Sequence, residues 1–565
     1  MVSNDVRSVN HALIMRQQSF GIPPILLPCA FVSRAILAGR NYKTRRESKG
    51  AGGRTMRKIT ISWILVAGFI AGCSVNPVTG EREFLLVSGG QELQMGEQNY
   101  LPMQQSQGGE YDVDPALTQY VQDIGNRLAA VSDRPLAYEF VVLNNSIPNA
   151  WALPGGKIAI NRGLLTELNS EAELAAVLGH EIVHAAARHT AKQITRGMWM
   201  QGLVVATAVV TSDNDYGTMA VGGASAVAQL ATMKYGRSAE LESDEYGMRY
   251  LSKAGYDPQG AVVLQQTFVR LSEGRNQSWL GGLFSSHPPS NERVQANIRT
   301  AATLPAGGIL GVDSFRAAMQ KTNATRAAYA AYDEGREALA EKQNDKALTL
   351  ANRALDLFPQ EAHFHALRGD ARLVSDKFDM AVTNYSRAIS RRDQFFYYYL
   401  QRGLAKNELN QTDAAVADLE RSIALLPTAP AHYTLGEIAA ESDNRSQAID
   451  HFKVVAKSGG DYGKAATEAL VRLELPSNPA SYVTSACGDD GSGELAVSIR
   501  NDTPLPVTGV QARIQYVDSG GAERQMTQSF GGRIEPGQFR SMNTGLVLHV
   551  NSRCTAQVTV ARVVE

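Results

Sequence analysis

From about residue 325 the chain repeats itself, and no other feature constrains its fold as strongly. Gly335, Gly369, Gly403 and Gly436 follow one another at steps of 34, 34 and 33 residues, and Ala347, Ala381, Ala415 and Ala448 keep the same steps. Pro359 and Pro427 close the first and third units. Small residues at fixed points let two helices of a unit approach closely. A helix pair of this size cannot bury its apolar face alone, so neighbouring units must stack. The spacing therefore predicts an α-helical solenoid over residues 325–473.

The rest of the chain must hold further domains, because 565 residues correspond to about three or four units at roughly 100–200 residues each. Residues 474–481, ELPSNPAS, read as a Pro-bearing linker. Beyond it the period changes to two. Leu495, Val497 and Ile499 alternate with polar residues, as do Val510, Ala512, Ile514 and Tyr516, and later Val558 and Val560. Asp518-Ser519-Gly520-Gly521 and Glu535-Pro536-Gly537 supply turns. A small β-sandwich-like domain over 482–565 is expected. Hydrophobic residues at 44% and charged residues at 20% fit a folded protein and exclude disorder or a polytopic membrane protein. A formal net charge of -1 gives no support to nucleic-acid binding through a basic surface. The 4 cysteines have no CxxC spacing and are too few for a disulfide scaffold.

The N-terminal region reads as an address. Arg57 and Lys58 precede an apolar run, Ile59 to Phe69, that ends in Ile70-Ala71-Gly72-Cys73. The run suits a secretory signal and is short for a bilayer span. Its ending resembles the bacterial lipobox, in which the signal is cut before a cysteine that receives lipid. Met56 stands where such a signal begins. Residues 1–55 are read as an upstream extension, 56–72 as a lipoprotein signal peptide, and Cys73 as the lipidation site. Ser74, in place of Asp, implies by that resemblance the outer membrane. Export would carry Cys487 and Cys554, the cysteines beyond Cys73, into an oxidising compartment, so a disulfide closing about 68 residues is expected.

Between address and repeats lies the chemistry. Asp114 and Pro115 read as a helix start, with Leu117, Val121, Ile124 and Leu128 on one face. Tyr138 to Leu143 reads as a strand, and NAWALPGGKIAIN, residues 149–161, as a turn and a second strand. Ser170 with Glu173 forms a capping box that opens a helix from Glu171 to about Thr195. That helix carries HEIVH, residues 180–184. His180 and His184 differ by only about 40° around it and can share one metal ion. Glu181 stands between them, placed to take a proton from water. A catalytic zinc needs a third protein ligand. His189 would point about 180° away from His180 on a continuous helix and reads as structural. Glu240 in YGRSAELESDEYG, residues 235–247, is the better candidate, with Asp244 one turn on to orient a ligand imidazole. Glu242 reads as surface. The Ala- and Gly-rich stretch 201–233 reads as packed helices, and 237–272 as helical, leading to SSHPPSNER, residues 285–293.

HEIVHAAARH, ELESD and HPPSNER, in this order, resemble the zinc metalloendopeptidases of the CAAX-prenyl-protease/HtpX type, including the Oma1-like peptidases. The repeat period of 34 resembles the tetratricopeptide repeat. With a lipobox before and repeats after, the chain is similar to periplasmic peptidases of the BepA type, from which its C-terminal β-region departs. The resemblance implies an α+β zincin-type (gluzincin) peptidase domain over 73–312, in a multidomain chain. It implies one Zn2+ per chain held by His180, His184 and Glu240, with Glu181 as general base and Asp244 behind the ligands. His287 matches a histidine that can take the fourth metal position and keep the enzyme latent; the competing role is oxyanion stabilisation. Arg293 matches the arginine of the same motif. The 153–161 strand would offer an edge to an extended substrate. The implied activity is quality-control hydrolysis of misfolded or stalled envelope proteins by a membrane-tethered, periplasmic enzyme. Its repeats would dock substrates or the outer-membrane assembly machinery. The alternative is a chaperone or assembly adaptor acting mainly through the repeats, with latent protease activity.

Overall fold

The computed structural model describes residues 73–205, 234–274, 286–548 and 553–564. The expected upstream extension, the signal peptide and most of 201–233 lie outside the described residues. Among the described residues no helix is long and apolar enough to cross a membrane. They fall into two compact units, one ending at Phe395 and one beginning at Phe396.

The first unit opens with a ribbon, β1 (Cys73–Val75) against β2 (Arg82–Phe84). Helices α1 (Gly89–Ser106) and α2 (Pro115–Ala129) follow. Pro115 occupies the first turn of α2, and Leu117, Val121, Ile124 and Leu128 are buried. A three-stranded sheet has the order β3 (Glu139–Leu143), β5 (Lys157–Asn161), β4 (Ala150–Leu153). β3 runs parallel to β5 and β4 antiparallel to it. Gly155 and Gly156, with φ of 86° and 88°, make the β4–β5 hairpin turn. Every residue of β5 is buried, although Lys157 and Ala159 alternate with isoleucines as if facing water. The reason is a second layer: Ile158 and Ile160 join the main core, while Ala159 packs with Met103 and Trp151 on the other face. The expected substrate edge is displaced as well. β5 has a partner on both sides, and the edge beside the metal-site helix is β4.

The helix that carries HEIVH, α3, spans Glu171–Ala186 and is shorter than its periodicity predicts. Ser170 Oγ accepts from the Glu173 amide at 3.2 Å at its start. The early end has a physical cause. Arg188 adopts φ 62°, and its guanidinium is held by buried Glu92 (2.7 Å), Ser74 Oγ (2.7 Å) and the Val87 carbonyl (2.8 Å). A new helix, α4 (His189–Val205), starts at once in another direction. The predicted helix over 237–272 also breaks, at Gly255 with φ 88°, into α5 (Arg237–Lys253) and α6 (Gln259–Gly274). Helix α7 (Asn291–Ala301) completes the group.

Two repeat pairs complete this unit: α8 (Arg326–Ala340) with α9 (Asn344–Leu357), and α10 (Ala362–Leu373) with α11 (Phe378–Arg391). The second unit continues with α12 (Phe396–Glu408), α13 (Thr412–Leu425), α14 (Ala429–Glu441), α15 (Arg445–Val455) and α16 (Gly460–Glu474). The phased glycines have a steric cause: a Cβ on Gly335, Gly369, Gly403 or Gly436 would lie 2.7, 2.7, 2.9 or 2.8 Å from Leu367, Tyr385, Leu419 or Phe452. The period also governs the turns inside each pair. Lys342, Asp376, Asn410 and Asp443 are all left-handed, and the next amide in each case returns to the carbonyl five residues before it.

In the second unit two antiparallel three-stranded sheets follow. Their orders are β10 (Phe539–Val547), β7 (Glu494–Asn501), β6 (Val483–Asp489) and β11 (Thr555–Val563), β8 (Val507–Val517), β9 (Glu523–Phe530). They enclose one core containing Leu495, Val497, Ile499, Val510, Ala512, Ile514 and Val558, which Val471 of α16 and Leu475, just after it, extend. Cys487 on β6 and Cys554, just before β11, form a disulfide with Cα atoms 6.0 Å apart, tying one sheet to the other.

Candidate metal centre

Four elements bring the site together. On α3, His180 and His184 lie one turn apart and both are buried. Helix α5 crosses α3 where two glycines meet: a Cβ on Gly247 would stand 3.1 Å from the His180 backbone nitrogen, and one on Gly179 3.2 Å from the Gly247 carbonyl oxygen. This close approach carries Glu240, in the first turn of α5, and Asp244 up to the histidines. His287 arrives from the segment before α7. There Ser290 Oγ accepts from the Arg293 amide at 3.2 Å and fixes the turn from which Arg293 reaches in.

The donor atoms converge. His184 Nε2 lies 3.0 Å from His180 Nε2, and His180 Nε2 lies 3.3 Å from His287 Nδ1. Glu240 Oε1 is 3.0 Å from His287 Nδ1 and 3.4 Å from His184 Nε2. Among the described residues these four form the one such group of possible metal ligands. Ligands at 2.0–2.1 Å from a tetrahedral zinc stand about 3.3 Å from one another, so the spacing suits that ion. The chemistry of the set agrees. Imidazole nitrogens aimed at one point cannot all be satisfied by the protons they carry, whereas a shared cation satisfies them together.

His180 and His184 each have their own support. His180 Nδ1 is 3.0 Å from Asp244 Oδ1, and Arg293 donates to both Asp244 oxygens at 2.7 Å. Arg293 also approaches Glu240 Oε2 at 2.8 Å and the Pro288 carbonyl at 3.3 Å. It therefore touches both carboxylates and the His287 segment. The second support escaped sequence reasoning. His184 Nδ1 is 2.9 Å from His189 Nδ1; His189 Nε2 is 3.4 Å from Glu242, and Glu242 accepts from Asn76 Nδ2 at 2.9 Å. His189 thus lies behind His184, because the chain turns at Arg188, and Glu242 is an inward partner and not a surface residue. Tyr235 was also missed. Its ring stacks on His184 at 3.8 Å between centroids, and its hydroxyl is 3.1 Å from Thr190 Oγ1. No local pattern marks it; only its place just before α5, in YGRSAELESD, puts it near.

The electrostatics separate the carboxylates. Burial opposes ionisation of Glu240, but His287 and the hydrogen bonds from His180 and His184 hold it well below the usual range. Burial likewise opposes, and Arg293 overcomes, in lowering Asp244. Glu181 differs: burial pushes its carboxyl up, only partly offset by His287 and His180. Its Oε1 lies 3.6 Å from His287 Nε2, and its Oε2 is buried with no hydrogen-bond partner among the described residues. Burial lowers His184 well below its ordinary value, keeping it a neutral lone-pair donor.

Residues 115–301 match the model of Peptidase family M48, so the domain that holds this site is a peptidase domain of that kind. The chain is similar to the mitochondrial metalloendopeptidase OMA1 of Arabidopsis thaliana, 33% identical over 188 residues, covering 32% of this chain and 36% of that protein. It is similar to a putative beta-barrel assembly-enhancing protease of Vibrio cholerae, 30% identical over 199 residues, covering 34% of this chain and 40% of that protein. The chain thus spans less than half the length of either relative. Among solved structures it is similar to a thermophilic TPR protein of Thermus thermophilus, with 18% identity and a TM-score of 0.25, covering 37% of this chain and 99% of that one.

Proposed function

We propose that this chain is a zinc-dependent endopeptidase, lipid-anchored in the periplasm through Cys73. It would hydrolyse misfolded or stalled envelope proteins, outer-membrane proteins among them. The observation that carries the reading is the convergence of His180, His184, Glu240 and His287 on one point, with Glu181 beside it. His180, His184 and Glu240 would hold the ion. Zinc, when bound, supplies Lewis acidity that polarises a peptide carbonyl and acidifies water. Glu181 is the general base. Its burial makes proton acceptance at the unpartnered Oε2 favourable, and it returns that proton to the departing amine. Asp244 and Arg293 hold His180 and Glu240 in place. Pairing of an extended substrate with β4 would give affinity with little sequence preference, which suits unfolded chains.

His287 is the latch. Its Nδ1 stands among the ligand atoms, 3.3 Å from His180 Nε2, where a substrate oxygen would need to be. Substrate entry requires the His287 segment to withdraw. This geometry favours a latch over an oxyanion donor. The repeats would serve to bring substrates or assembly partners to the site.

The test measures zinc content and cleavage of an unfolded protein on the same samples, with and without a chelator. Glu181→Gln is expected to keep zinc and lose cleavage. Near-normal cleavage by the folded variant would remove Glu181 from its role, and chelator-resistant cleavage would end the metallopeptidase reading.

A further inference from the structure

The repeat period allows one repeat to be compared with the next, position by position. In the third repeat, Arg402 and Lys406 on α12 share the buried carboxylate of Asp418 on α13. Arg402 donates to it at 2.8 and 2.7 Å, and Lys406 Nζ lies 2.8 Å away. At steps of 34 residues before them stand Arg368, Arg372 and Asn384. Both cations are kept and the carboxylate is replaced by an amide.

Arg368 keeps the Nε contact of Arg402. Its Nε donates to Asn384 Oδ1 at 2.7 Å and its Nη1 to Asn352 Oδ1 at 3.4 Å. Buried Asn384 is itself fixed by donating to the Met380 carbonyl at 2.7 Å. The amide therefore holds the guanidinium in position without neutralising it. Two exposed arginines of α11 stand nearby: Arg391 donates to the Pro359 carbonyl at 3.2 Å and to the Arg387 carbonyl at 3.0 Å. Neither Arg368, Arg372, Arg387 nor Arg391 forms an ion pair with any described residue. Burial first, then Arg387 and Arg372, lower the Arg368 pKa, and Asp356 opposes them. A half-buried, pre-positioned cation with like charges around it gains more from an incoming anion than a solvated lysine does.

We propose that the second repeat is a docking point for an acidic stretch of another polypeptide, whose carboxylates take the place of the one this repeat lacks. In the third repeat a carboxylate occupies the corresponding position, between Arg402 and Lys406. Four arginines on one face call for several carboxylates, hence a run of acidic residues and not a lone ion. The site is separate from the metal centre and does not depend on the peptidase reading.

The test uses the full chain and a short labelled peptide of D-glutamate residues, which a peptidase does not cut. Anisotropy is expected to report binding that weakens with salt. Asn384→Asp closes the site from within, so it should weaken peptide binding about tenfold or more and raise Tm. Arg368→Gln with Arg372→Gln should weaken binding with the circular dichroism unchanged. Asp418→Asn should add a second binding event. Undetectable binding by the parent chain, or binding by Asn384→Asp equal to that of the parent, overturns the proposal. Phosphatidylglycerol vesicles are the competing probe: Arg368-dependent capture of vesicles without capture of the peptide would make the ligand a phosphate surface and also overturn it.

Discussion

Asp244 is the position where the metal site is most open to a graded test. Its Oδ1 serves both His180 Nδ1 at 3.0 Å and Arg293 Nη2 at 2.7 Å, while Oδ2 takes Arg293 Nε alone at 2.7 Å. In Asp244→Asn the amide has one acceptor and one donor. Placing nitrogen at Oδ1 would oppose three donors, Gln265 Nε2 at 3.5 Å among them, and force the His180 proton onto Nε2, the atom that must face the metal. Placing it at Oδ2 opposes Arg293 Nε only. The second orientation wins, so the histidine keeps its tautomer and the loss is confined to one charge-assisted bond. Asp244→Ala is worse, because it leaves both His180 and Arg293 without that partner. Loss of such a partner weakens metal affinity by about 10–100-fold. The asparagine variant is expected near the lower end and the alanine variant near the upper, or about 1.4 and 2.7 kcal/mol. The fold should survive, since Arg293 retains Glu240 at 2.8 Å and the cost stays below the roughly 3–5 kcal/mol of a fully broken buried pair. Zinc affinity is measured by competition with a chelating dye, and the zinc-dependent rise in Tm provides a second reading. If both variants bind zinc within about twofold of the parent, Asp244 does not orient His180 and the reasoning fails.

Three further outcomes are expected. His287→Ala should raise basal cleavage of an unfolded substrate while zinc stays bound; a fall in kcat would instead identify an oxyanion donor. Thiol labelling of denatured, unreduced protein should find Cys487 and Cys554 blocked, and Cys487→Ser should lower stability by roughly 4 kcal/mol on the chain-entropy account; two reactive thiols in the parent would refute the pairing in solution. Cys73→Ala should leave an uncut precursor or release the protein from the membrane, and unchanged processing and fractionation would show that Cys73 is not the anchor.

What the sequence made legible was whatever depends on short spacing. His180 and His184 sit where a single helical turn puts them, Glu240 and Asp244 share a face of α5, and the Gly and Ala steps foretell helix pairs whose contacts at Gly335, Gly369, Gly403 and Gly436 leave no room for a side chain. What escaped depends on distant partners. Apolar periodicity carries on through Arg188, but Glu92, nearly a hundred residues earlier, draws its guanidinium aside and ends the helix. That break brings His189 behind His184, where Glu242 of α5 meets it. The alternation in Lys157–Asn161 suggests a one-sided strand, yet Tyr100 and Trp151, in edge contact at 6.2 Å, belong to the second layer that covers it. A local period reports how a segment packs against one neighbour and is silent about another.

The first repeat bears on how function can be divided between peptidase and solenoid. Arg162, the residue that follows β5, is buried, with its guanidinium 3.5 Å from the ring centroid of Tyr329 on α8. Tyr329 in turn donates to Glu361 at 2.6 Å, and Glu361 accepts from Asn144, which follows β3, at 3.2 Å. The ends of both sheet strands are therefore held by repeat residues, and the core of the peptidase runs without interruption to Phe364 and Ala371. Cutting the chain near 325 would expose that core and strip Arg162 of its aromatic partner, a cation–π contact worth about 2 kcal/mol when desolvated. Loss of activity in such a fragment would follow from the damaged sheet alone, whatever the repeats bind. Point changes at Arg368 and Arg372 separate docking from catalysis, because they leave the Tyr329–Glu361–Asn144 chain intact.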